Sequence, residues 1–117
     1  MRILIAALAV MTTFPALADE ADDAQRLAVA GRDAYWNCLA REYPRDVNKY
    51  MPEQEFAALI AVACTSERQN FRVALVDYLG TQPGNDAGAN MMTANNAIAL
   101  AQKDIVTAFA RRKAAAK

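Results

Sequence analysis

Two cysteines, Cys38 and Cys64, are the residues best equipped for chemistry in a chain that contains no histidine. Thiol chemistry runs through the thiolate, which a neighbouring histidine, a metal or a C-x-x-C partner favours. The chain has no C-x-x-C pair and no histidine. Structural zinc normally takes four cysteine or histidine ligands, and two cysteines fall short of that set. What remains is that the two bond to each other. A Cys38–Cys64 disulfide is the expectation, with Cα atoms about 4.4–6.8 Å apart. Closing a loop of this length contributes roughly 3 kcal/mol in the chain-entropy model. That is a large share of the roughly 5–15 kcal/mol net stability of a domain.

A disulfide persists in an oxidising compartment, and the first residues supply a route to one. The chain opens "MRILIAALAVMTTFPALADE". Arg2 is a short positive start, 3–10 is an unbroken apolar run, and Ala16-Leu17-Ala18 is a small-x-small cleavage pattern. Together these read as a signal peptide over 1–18, leaving a single helical domain over 19–117. The apolar run is too short to span a bilayer, and no later stretch is apolar enough. The expected location is periplasmic or secreted, with no stable membrane insertion of the mature chain.

Three helices would position the cysteines. The first covers 22–43, where Ala24, Leu27, Gly31, Ala34, Tyr35 and Cys38 recur at three- and four-residue spacing. Pro44 ends or bends it, and "PRDVNKYM" (44–51) is a connector with room for one irregular turn. The second helix starts at Pro52, with Glu53 and Glu55 at its positive end, and runs to Leu79. Its stripe is Phe56, Ile60, Ala63, Cys64, Phe71, Leu75 and Tyr78, while Val62, Val73 and Val76 form a second apolar side. "GTQPGNDAGA" (80–89) holds three of the four glycines and reads as a loop. The third helix covers 90–112, with Asn90 as N-cap and a stripe of Met91, Ala94, Ile98, Ala101, Ile105 and Phe109. No stretch alternates with period two. The class is all-α: a small antiparallel three-helix bundle stapled by one disulfide.

Two side chains sit oddly on these faces. On a continuous second helix Glu67 falls roughly 20° from Ile60, at about 100° per residue, inside the apolar stripe. A half-buried carboxylate needs a partner, and Arg41, Arg68 and Arg72 are the candidates. It either snorkels to the rim or acts as an acid-sensitive latch. Trp36 projects away from the Cys38 stripe, alongside Val29. It either packs against a neighbouring element or stands as an exposed anchor, since tryptophan is enriched at interface hot spots.

Much chemistry is excluded. Without histidine the chain lacks the commonest general base and a histidine-ligated haem. No serine or cysteine nucleophile has a base beside it, and no glycine loop has the context of a phosphate cradle. No enzyme, cofactor or metal is expected. With 13 basic and 13 acidic side chains there is no surplus for nucleic acid. Arg111, Arg112, Lys113 and Lys117 complement the last helix's dipole or touch an anionic surface.

Two stretches, "WNC" (36–38) and "ACTSERQNF" (63–71), resemble the HdeA-type acid-stress chaperone family. The second is similar to that family's second-cysteine segment. The two cysteines here stand much closer together than in that family, and nothing from Gly80 onward has a counterpart. The resemblance implies a disulfide-stapled helical protein that loosens in acid and exposes apolar surface to unfolding clients. The residues themselves point first to a non-enzymatic exported helical protein that binds or interacts with other proteins. The alternative is an acid-responsive periplasmic chaperone.

Overall fold

A computed structural model describes residues 13–116, and side chains from Asp19 onward. The first part of the expected signal peptide, 1–12, lies outside the described residues. Four α-helices and no strand are present among the described residues. They are α1 (Thr13–Ala40), α2 (Glu53–Val62), α3 (Thr65–Gly80) and α4 (Ala87–Ala115).

α1 ends three residues before the expected Tyr43. Pro44 has no N–H to give, and its ring disfavours the helical region for the residue before it. The chain tightens instead, with Arg41 and Glu42 donating to the carbonyls of Cys38 and Leu39. The irregular turn of the connector is a 3₁₀ turn at Asp46–Asn48. Asn48 is buried there and donates from Nδ2 to the Glu42 carbonyl at 2.8 Å.

The expected second helix is two helices. α2 stops at Val62, and Cys64 takes a left-handed conformation with φ 57° before α3 begins. No proline or glycine marks the break. α4 starts three residues earlier than read, because Asp86 rather than Asn90 is the N-cap, accepting from the Ala89 N–H at 2.9 Å. The loop before it turns at Gly84, whose φ of 71° suits glycine.

α4 is the common support, since both α2 and α3 pack on it, while α1 rests mainly on α3. The α4 stripe from Ala94 to Phe109 is buried as its spacing predicts, although Met91 is exposed. Against it lie Phe56 and Ile60 of α2 and Phe71 of α3, with Tyr35 and Leu39 of α1 in the same cluster. Phe56 stacks on Phe109 with ring centroids 4.0 Å apart. Each such side chain contributes roughly 1.5–3 kcal/mol on full burial. The α1 face departs in part from the expected one: Tyr35 is buried as expected, but Leu27 and Ala34 are exposed, and Ala28 and Leu39 are buried. Gly31 does allow close approach, because a Cβ there would stand 3.1 Å from the Phe71 Cα.

Candidate functional site

Cys38 and Cys64 are joined, with Cα atoms 6.2 Å apart. The bond reaches the junction between α2 and α3 rather than the middle of one long helix. Breaking a helix releases carbonyls from their i→i−4 partners. Two side chains reclaim them here: Arg68 Nη1 donates to the Ala61 carbonyl and Thr65 Oγ1 to the Val62 carbonyl. A left-handed non-glycine residue costs roughly 1–2 kcal/mol, so the junction is held by its tertiary partners and not by local preference.

Glu67 is half-buried in the first turn of α3, beside the disulfide. One of its carboxylate oxygens and the two sulfurs all lie within 4.8 Å of one another. Bonded to each other, the sulfurs carry no thiolate, the form that ligates metal. Glu67 therefore stands beside a closed disulfide and not beside a pair of metal-ligating thiolates. The expected arginine partner is absent among the described residues. Arg68 is turned to Ala61, Arg72 donates to Asn95 and Gln69, and Arg41 donates to the Asn37 carbonyl. The break explains this. The projection that placed Glu67 in the stripe requires an unbroken helix from Ile60.

Trp36 lies on a flank of α1, 40% exposed, with Val29 41% exposed two turns before it. Their seven-residue spacing puts both on one side of the helix. Val62 and Val73, the second apolar side of the expected long helix, are also exposed.

Sequence reasoning missed a cleft of about 330 Å³ between the connector and the end of α4. It is lined by Phe109, Tyr43 and Tyr50 and by the cations Arg45, Lys49, Arg112 and Lys113. The signal available was the aromatic–basic run around "NKYM" and the "FARRK" of the last turns. Nothing local says that these two stretches meet. No helix among the described residues is long and apolar enough to cross a membrane.

Comparison with known protein families, with curated proteins and with solved structures gives no match. The HdeA-type resemblance stands on its two short stretches and is neither strengthened nor weakened.

Proposed function

We propose that this chain is an exported, non-enzymatic helical protein that acts by binding another protein, with Trp36 at the contact. The observation that carries this reading is the exposed Val29–Trp36 flank of α1. A tryptophan left half in water on a helix face keeps a large apolar area available for a partner to bury. The disulfide fits a life in an oxidising compartment.

Light scattering over a range of concentrations tests the reading, with a second copy as the simplest partner. The expected result is reversible association that Trp36→Ala weakens without shifting the melting temperature of the dilute monomer. A strict monomer whose tryptophan emission stays unchanged at all concentrations removes the support for self-association through this flank. The acid-responsive chaperone has no arginine contact on Glu67 in its favour. Circular dichroism from neutral to strongly acid pH separates the two. The binding reading expects the near-ultraviolet signal to persist. Its loss in acid, together with protection of an aggregating client, replaces the binding reading with the chaperone.

A further inference from the structure

The cleft between the connector and α4 combines an apolar floor with cations drawn from two separate elements. Phe109 is 3% exposed and is fixed from behind by its stack on Phe56. Its position is therefore set before any ligand arrives. Tyr50 stands beside the opening and is 84% exposed. The Lys49 ammonium lies over its ring, 5.6 Å from the centroid. The volume, about 330 Å³, lies at the small end of ligand pockets, which run from about 300 to 1,000 Å³.

The charges are unbalanced. Four cations line the cleft, against the single carboxylate of Asp46. Arg45 is paired with Glu42 at the edge, and Lys113 donates to the Met51 carbonyl while lying over the Phe109 ring. Lys49 and Arg112 take part in no ion pair among the described residues. The dipole of α4 accounts for cations in its last turn, Arg112 and Lys113. It does not account for Lys49, which the connector carries to the same opening. An anion between these exposed cations would relieve their screened mutual repulsion.

We infer that this cleft binds a small amphipathic anion, an aromatic or alkyl carboxylate or sulfonate. Its apolar body lies between Phe109 and Tyr50, and its charged head meets Lys49 and Arg112. The site is separate from the Trp36 flank and does not depend on it.

The test titrates 1-naphthoate into the oxidised chain and follows backbone and aromatic resonances by NMR. Two probes of the same shape run in parallel, neutral 1-naphthalenemethanol and cationic 1-naphthylmethylammonium. Saturable shifts are expected at Tyr50, Phe109 and Arg112, with naphthoate bound most tightly and the cation not at all. Rim charges are exposed, so Arg112→Ala should weaken naphthoate by about threefold, and Arg112→Glu by more. Affinity should fall as salt screens the rim. Tyr50→Ala should weaken all binding and, being a change at an exposed ring, leave the fold intact. Equal affinity for the neutral probe overturns the assignment of the charged head. Absence of saturation, or shifts centred on Val29 and Trp36, overturns the site. Binding to anionic lipid vesicles that Arg112→Glu abolishes, without saturable naphthoate binding, assigns these cations to a membrane surface and overturns it as well.

Discussion

The chain changes direction at two places on either side of α2, and it does so by opposite means. At the connector the causes are local. Pro44 stops α1, consecutive turn hydrogen bonds carry the chain round, and Asn48 closes the turn by bonding to a carbonyl six residues back. At the junction before α3 the cause is remote. Cys64 adopts a conformation it would not choose, and its partner, Cys38, lies 26 residues away on another helix. The connector is a bend written in residue types. The junction is a bend held by contacts between helices, the disulfide among them. A local bend survives as long as its own residues do, whereas an imposed one depends on everything that holds the two helices together.

That difference can be attacked from both sides. Cys64→Ala removes the remote cause, and should lower unfolding stability by about 3 kcal/mol in oxidising buffer. The check is the urea midpoint together with its slope, which should rise as the unfolded chain loses its cross-link, with thiol titration confirming that Cys38 has become free. Asn48→Ala attacks the local bend. It deletes a buried donor and leaves the Glu42 carbonyl with the Arg45 N–H alone, a loss of about 1–2 kcal/mol. The loss should be the same in reduced and oxidised protein, because the connector does not rely on the disulfide.

A finer comparison uses a Cys38→Ala background, in which no bond can form. If packing of α2 on α4 and of α3 on α1 keeps the break, glycine at position 64 should be more stable than alanine by about 1 kcal/mol, since glycine accepts the left-handed region freely. That is the expected order. The reverse order, with a helical Cα chemical shift at position 64, would mean that α2 and α3 fuse once the bond is gone. The smallest effect concerns Glu67. Removing its charge in Glu67→Gln should speed reduction of the disulfide by an anionic thiol about twofold, the scale of one partly screened charge. The acceleration should vanish at high salt. No change at low salt would mean that attack comes from a direction the carboxylate does not face.

The same contrast explains which parts of the fold were legible. The α4 stripe was, because Ala94, Ile98, Ala101, Ile105 and Phe109 keep one spacing with larger residues among alanines. The disulfide was, because two cysteines without histidine leave one pairing. The buried face of α1 was read in part: Tyr35 and Gly31 lie on it as expected. It is rich in alanine, so neighbouring stripes look alike, and the packing on α3 buries Ala28 and Leu39 and leaves Leu27 and Ala34 exposed. The break at Cys64 had one overlooked signal. Thr65 and Ser66 followed by Glu67 resemble a helix start, but apolar spacing that continues smoothly from Ile60 to Phe71 outweighed it.

Composition and spacing are sufficient to make this an all-helical chain, since period, proline and glycine act within a few residues and need no partner. They also pair the cysteines, because pairing here is a matter of counting. They do not place the end of α4 beside the connector, turn Glu67 away from arginine, or bend the chain at Cys64. Those outcomes compare energies of groups far apart in sequence. Such energies exist only after the helices have packed, and it is the packed arrangement that gathers Lys49, Tyr50, Phe109 and Arg112 around one cleft.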